Sequence, residues 1–279
     1  MAYSVGMAVD HSSQTTLITG ASSGIGAALA RRLAERGTDL VLVARRTERL
    51  DALATELRET HGVRVETVPA DLGRPGAGRD LAAEVDRRGV RVTSLVNNAG
   101  VGSDGAFADQ DPAELEALLT LNVVALVDIT RAFIDRLSRG QGGYLVNIAS
   151  AAAYQPIPGM AVYAASKAFV LNFTEALWWE TRGSGLRTLA FSPGLTRSEF
   201  FDAIGTEGYG NGFQTPDEVA QALVRALDRR RSVPSAVSRA STAVSAGLSR
   251  LLGRRTAVSA TARMAGSAAL MGKRRPVTT

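Results

Sequence analysis

The sequence predicts an α/β fold, a single-domain doubly wound parallel sheet flanked by helices, and three observations carry that prediction. Strand-like and helix-like stretches alternate along most of the chain. A glycine-rich turn, Thr19-Gly20-Ala21-Ser22-Ser23-Gly24-Ile25-Gly26, separates the first strand-like run from the first helix-like run. Gly20, Asn97, Ser150 and Pro193, far apart in sequence, each follow a strand-like run. Alternating β and α units require right-handed crossovers and hence a parallel sheet, whose ligands bind beyond the carboxyl ends of the strands.

The elements follow in order. The run Thr15-Thr16-Leu17-Ile18 opens the first strand, 15–19, and the glycine turn leads into a helix over 25–36. Strand-like runs at 39–44, 64–69, 94–97, 143–148 and 186–191 alternate with helix-like stretches near 47–61, 77–88, 112–138 and 160–182. A seventh strand belongs near Arg231 to Ala236, where Pro234 confines it to a sheet edge. Residues 1–13 read as an N-terminal extension, 14–231 as the dinucleotide-binding catalytic domain and 232–279 as a basic, acid-free C-terminal extension.

Composition narrows the chemistry. A chain of 279 residues buries one sizeable core. The chain has no cysteine, which removes disulfides, thiol catalysis and thiolate metal sites. His11 and His61 lie far from every motif and read as solvated surface residues, so no metal site is expected. Met1 to Ser13 lacks the basic start of a signal peptide, and no run approaches eighteen apolar residues, so a cytoplasmic protein is expected.

Tyr163 and Lys167 stand four residues apart, on one helix face, with Ser150 thirteen residues upstream at the end of Tyr144-Leu145-Val146-Asn147-Ile148. An ammonium beside a phenol favours its ionised form, so the spacing predicts a Tyr163 pKa moved down from about 10, toward working range. The Ser150 hydroxyl is placed to hydrogen-bond a substrate oxygen that gains charge. In the glycine turn, Gly20 allows a tight turn, Gly24 a close approach to a pyrophosphate and Gly26 close helix packing, while the helix N-terminus attracts the anion.

These motifs together resemble the short-chain dehydrogenase/reductase family, in its compact, non-extended branch, over roughly residues 14 to 230. The resemblance implies a Rossmann-type fold, with catalysis by Asn122, Ser150, Tyr163 and Lys167. It assigns cofactor contacts to Gly20, Ser22, Ser23, Gly24, Ile25 and Gly26, to Asp71 and Leu72, and to Asn98, Ala99 and Gly100 of Asn97-Asn98-Ala99-Gly100. Tyr163 and Lys167 join that set, with Pro193, Gly194 and Thr196 after the sixth strand. It further implies a homo-dimer or homo-tetramer paired through helices 112–138 and 160–182.

After the second strand, where a NAD-selective site carries an acid, this chain has Arg45 and Arg46. A guanidinium pairs with a 2′-phosphate and a carboxylate repels it, which points to NADP(H) over NAD(H); the alternative is the basic start of a solvated helix. Ser22 and Ser23 are placed to add hydroxyl contacts to that phosphate. The segment Leu195 to Gln214, with Phe200, Phe201, Tyr209 and Phe213 among four glycines, reads as a lid. Ala151 to Met160, with Ala152, Tyr154, Ile157 and Met160, reads as the opposite wall. Both are mostly apolar, so a hydrophobic ketone or aldehyde is expected, unless the aromatics simply pack the fold.

Between Ser232 and Thr279 lie eight basic residues and no acid, against +5 for the whole chain, so residues 1–231 carry a net −3. The basicity belongs to the tail, and nucleic acid is not an expected partner. Apolar residues from Val237 to Val258 recur at helical spacing, a pattern open to folding over the body, a subunit interface, peripheral contact with an anionic membrane, or disorder. The function read from the sequence is an NADPH-dependent carbonyl reductase with Tyr163 as general acid/base. The alternatives are a membrane-surface reductase of a lipid-linked ketone and a non-catalytic dinucleotide-binding regulatory protein.

Overall fold

The apolar, β-branched runs become seven strands, β1 (Thr15–Thr19), β2 (Asp39–Ala44), β3 (Val65–Pro69), β4 (Ser94–Asn97), β5 (Tyr144–Ile148), β6 (Arg187–Ser192) and β7 (Ser235–Val237). In this computed structural model, which describes residues 8–140, 142–200, 212–239 and 253–264, they pair in parallel in the order β3-β2-β1-β4-β5-β6-β7. The strand order reverses between β1 and β4, which opens a crevice at their carboxyl ends. The doubly wound sheet expected from the sequence is present.

Eight helices flank the sheet among the described residues: α1 (Gly24–Ala34), α2 (Thr47–His61), α3 (Ala77–Arg87), α4 (Pro112–Leu119), α5 (Leu126–Arg139), α6 (Ala161–Glu180), α7 (Pro216–Leu227) and α8 (Arg254–Met264). Successive strand residues point to opposite faces, so Ile18 joins the core under α1, α2 and α7, and its neighbour Leu17 joins the core under α3, α5 and α6. Burying each such side chain is worth about 1.5–3 kcal/mol relative to exposure. A buried polar ladder crosses the second layer. Asn97 Nδ2 donates to Thr130 Oγ1 at 3.0 Å and Asn147 Oδ1 at 2.9 Å, and Asn147 Nδ2 donates to Thr174 Oγ1 at 2.9 Å. That ladder joins α5, β4, β5 and α6, the elements that carry the site.

Several expectations need correction. The helix expected over 112–138 is split by a π-helical segment, Thr120–Ala125, between α4 and α5. The whole stretch Pro112–Arg139 is long and apolar enough to cross a membrane by length and composition, although no uninterrupted apolar run reveals it. Here it packs against the fold through Leu118, Leu126, Ile129, Phe133 and Leu137. His11 is not a solvated residue. It is buried at 7 % exposure, its Nε2 lies 2.9 Å from Asp228 Oδ1, and its ring meets Tyr144 edge-on. β7 starts after Pro234, whose carbonyl accepts from Ala190 N at 3.0 Å, so the sheet continues past the boundary expected at residue 231. α7 escaped the sequence reading, although Thr215 and Glu218 form a capping box with Pro216 between them.

Most of the C-terminal extension lies outside the described residues. Its helix α8 packs on the body: Ala257 and Thr261 are buried, and Thr261 Oγ1 donates to Pro156 O at 2.7 Å.

Candidate active site

The glycine turn has backbone that side chains would obstruct. Gly20 and Gly24 hold φ of +66° and +55°, and a Cβ on Gly26 would come within 2.4 Å of Gly20 O. Ile25 packs against the core beside this turn. From the neighbouring strand end, Asn98 Nδ2 donates to Thr19 O at 2.9 Å and Gly20 O at 3.2 Å, and Ala99 N donates to Thr19 Oγ1 at 3.0 Å. The Asn97-Asn98-Ala99-Gly100 turn thus braces the cradle. The cradle has the small residues and exposed helix N-terminus that a dinucleotide pyrophosphate requires.

At the far edge of the cradle, Arg46 Nη2 donates to Ser22 Oγ at 3.0 Å and Ser23 Oγ at 2.8 Å. Arg45 is exposed and makes no hydrogen bond or ion pair with a described residue. Arg49, three residues on from Arg46, pairs with Glu199 and was missed as a site residue; its spacing on one helix face was the available signal. Asp71 is exposed and its carboxylate accepts from Gly73 N at 3.0 Å. Leu72 is buried in the core, so its side chain is not open to solvent.

The four catalytic candidates converge at the carboxyl ends of β4 and β5. Asn122 lies within the π-helical segment at 1 % exposure; its Oδ1 accepts from Val101 N at 2.9 Å and its Nδ2 donates to Val101 O at 2.8 Å. A Cβ on Gly100 would sit 3.0 Å from Asn122 Oδ1 and 3.4 Å from Lys167 Nζ, which shows how closely these three residues meet. Ser150 caps the short turn Ala151–Tyr154, and its Oγ accepts from Ala152 N at 3.1 Å. Lys167 Nζ donates to Ile148 O at 3.0 Å and lies 5.9 Å from the centroid of the Tyr163 ring.

The electrostatics differ from the expectation. Burial pushes the Tyr163 phenol up to about 12, with a hydrogen bond from Ser150 acting the other way. Burial also lowers Lys167 to about 8. Desolvation disfavours both charged forms, and in this environment it outweighs the attraction between ammonium and phenolate on which the expected downward shift rested.

Pro193 O accepts from Ala151 N at 2.8 Å, and Gly194 N donates to Ser238 Oγ at 2.9 Å. Thr196 is buried and its hydroxyl turns inward to Gly194 O at 2.9 Å. Ala152, Met160 and Tyr163 cluster with Leu118 and Ala164, and Ile157 and Phe200 pack against them. Tyr154 stands apart from that cluster: it packs toward Leu126, Val170 and Ala190, and its hydroxyl accepts from Ser192 Oγ at 3.4 Å. Residue periodicity in a short turn could not reveal that direction. Phe201 and Tyr209 lie outside the described residues. No cluster of metal-ligating side chains occurs among the described residues.

A glycine cradle at the switch point of a doubly wound sheet, beside a half-buried serine and a buried tyrosine and lysine, defines a nucleotide-dependent oxidoreductase. The chain belongs to the short chain dehydrogenase family, whose profile matches residues 14–207. It is an NAD(P)-dependent oxidoreductase. Among similar proteins, sulfoacetaldehyde reductase 2 of Chromohalobacter salexigens is 40% identical over 190 residues, 67% of this chain and 75% of that one. A short-chain dehydrogenase from Sphingobium yanoikuyae, solved in complex with NADPH, is 36% identical, covers 95% of this chain and 98% of its own, and has a TM-score of 0.77. A bulky-bulky ketone specific alcohol dehydrogenase from Comamonas testosteroni is 30% identical, with 96% and 97% covered and a TM-score of 0.73.

Proposed function

We propose that the protein is an NADPH-dependent carbonyl reductase acting on a bulky, apolar ketone or aldehyde. The observation that carries this reading is one connected group: Asn122 and Lys167 meet at Gly100, Lys167 lies 5.9 Å from the Tyr163 ring centroid, and Ser150 hydrogen-bonds the Tyr163 phenol. A nicotinamide dinucleotide held through its pyrophosphate at the glycine cradle would supply the hydride that reduces the carbonyl carbon. Ser150 donates a hydrogen bond to the carbonyl oxygen and Tyr163 transfers its phenol proton to it. Lys167 compensates the phenolate that remains, and Asn122, fixed by Val101, holds the route by which the proton returns. Burial pushes the phenol up to about 12, so it is protonated at neutral pH, as the donor role requires.

Arg45, unpaired among the described residues, and Arg46, already among the Ser22 and Ser23 hydroxyls, support NADP(H) over NAD(H). Ala152, Ile157, Met160 and Phe200, which pack with Tyr163 in one cluster, carry no charge and support an apolar substrate, in line with the name of the Comamonas relative. Exposed Leu119, Val124 and Phe169 on the 112–139 and α6 helices support pairing of two subunits there.

The test is a screen of NADPH and NADH oxidation against aromatic, bulky aliphatic and small charged carbonyls, with wild type and an Arg45→Ala, Arg46→Ala double variant. NADPH is expected to be favoured at least about tenfold, with the preference collapsing in the double variant. Equal efficiency with both cofactors would overturn the cofactor reading, and activity confined to small charged carbonyls the substrate reading.

A further inference from the structure

Glu199 is 153 residues from Arg46 in sequence, yet its carboxylate lies at the phosphate end of the cleft. Arg46 Nη1 donates to Glu199 Oε2 at 2.7 Å, and Arg49 Nη1 donates to Oε1. The Arg46 guanidinium simultaneously reaches the Ser22 and Ser23 hydroxyls. An anion held by two guanidiniums beside two hydroxyls has the surroundings that a phosphate monoester would meet. Glu199 keeps its charge at any working pH, because hydrogen bonds from Arg49 and Arg46 hold its pKa down at about 2. The clasp is nonetheless displaceable, since Glu199, Arg46 and Arg49 are 48%, 42% and 51% exposed.

The residues on either side of Glu199 occupy the same cleft. Ser198 Cβ would lie 3.4 Å from a Cβ on Gly24. The Phe200 ring sits 5.2 Å from the Tyr163 ring and would collide with any Cβ on Gly102. One short stretch of chain therefore touches the phosphate end, the cradle and the catalytic phenol.

We propose that Glu199 is an internal competitor of the cofactor's 2′-phosphate, and thereby a determinant of cofactor selectivity. Its carboxylate neutralises Arg46 and Arg49 in the free protein. A 2′-phosphate takes these guanidiniums from it, whereas a cofactor without that phosphate leaves the clasp closed. The inference rests on the assignment of Arg46 to the phosphate in the proposed function. It adds that the selectivity of this site is held below what its arginines alone would give.

Equilibrium titration of the full-length protein with NADPH and with NADH, followed by cofactor fluorescence, tests it without any turnover. Glu199→Gln keeps length and a hydrogen-bonding oxygen and removes the charge. This variant is expected to bind NADPH about three- to tenfold tighter than wild type, and NADH within about twofold of it. Glu199→Asp, which keeps the charge, should stay within about twofold of wild type for NADPH. Unchanged or weaker NADPH binding by Glu199→Gln overturns the inference. So does equal tightening for both cofactors, which would report an opened segment and not a competing charge. A wild type that favours NADPH but is indifferent to Glu199→Gln leaves the cofactor reading standing and removes only this inference; a wild type that binds both cofactors equally removes both.

Discussion

Two buried tyrosines at opposite ends of the same sheet behave differently for reasons that lie in their neighbours. Tyr144, at the start of β5, shares a 2.7 Å hydrogen bond with Thr16 and packs edge-on against His11, which is itself bonded to Asp228. Tyr163, beyond the other end of β5, has Ser150 as its hydrogen-bond partner and a buried lysine near its ring. Burial raises both phenols. The first is locked among neutral or already paired groups; the second stands beside an ammonium that burial has made easy to deprotonate. Burial alone therefore makes a tyrosine a structural post, and a reactive one needs a charge with nowhere better to go.

The largest expected effect is on rate. Tyr163→Phe should lower kcat at least about a hundredfold while NADPH binding stays within about twofold, since one hydroxyl is lost with little change in packing. Tyr144→Phe should leave kcat within about twofold and lower stability by roughly 1–3 kcal/mol, because Thr16 loses its buried partner. Steady-state rates and thermal melts on the pair separate the two roles. If Tyr163→Phe kept more than about a tenth of wild-type activity, the contrast between the two ends would collapse.

A second, smaller effect concerns pH. Lys167 is held at about 8 against an ordinary 10.5, so between those values the unfolded chain binds more protons than the folded protein. Its contribution to stability therefore rises with pH through that window and is least favourable below it. Melting curves of wild type and Lys167→Met should converge or cross as pH rises from about 8 to 10, the wild type gaining on the variant. Parallel curves would show that the ammonium is not strained by burial.

The smallest effect is expected from the tail. A chain ending at Arg239 keeps β7 and the Ser238 contact to Gly194 but loses α8, whose Thr261 holds the Pro156 carbonyl beside the substrate wall. It should melt about 2–4 °C lower for each kcal/mol lost, with a substrate KM raised about two- to fivefold. No change in either would detach the tail from the carboxyl end of the sheet.

What was legible in the sequence follows from how local each signal is. The glycine turn, the Tyr163 and Lys167 spacing and the strand ends are set by residues a few positions apart, and the cradle, α6 and six of the strands lie where those patterns put them. The seventh, cut to a short edge strand by Pro234, lies partly beyond the expected stretch. His11 and Glu199 were not legible, because their partners are 217 and 153 residues away and only the folded sheet brings them together. The raised phenol of Tyr163 was not legible either. Helical spacing shows which charge is near, but desolvation depends on everything else that surrounds the ring.

The π-helical segment at Thr120–Ala125 gives the molecule an unusual kind of vulnerability. An α-helix turns about 100° per residue, and the wider π turn accommodates one additional residue there without disturbing the helices on either side. Asn122 owes its inward direction to that surplus residue as much as to being asparagine. Removing an exposed neighbour such as Val124 would keep every member of the site in the sequence while swinging the amide away from Val101. At this point function is encoded by chain length, and it is open to loss by deletion where substitution would leave it intact.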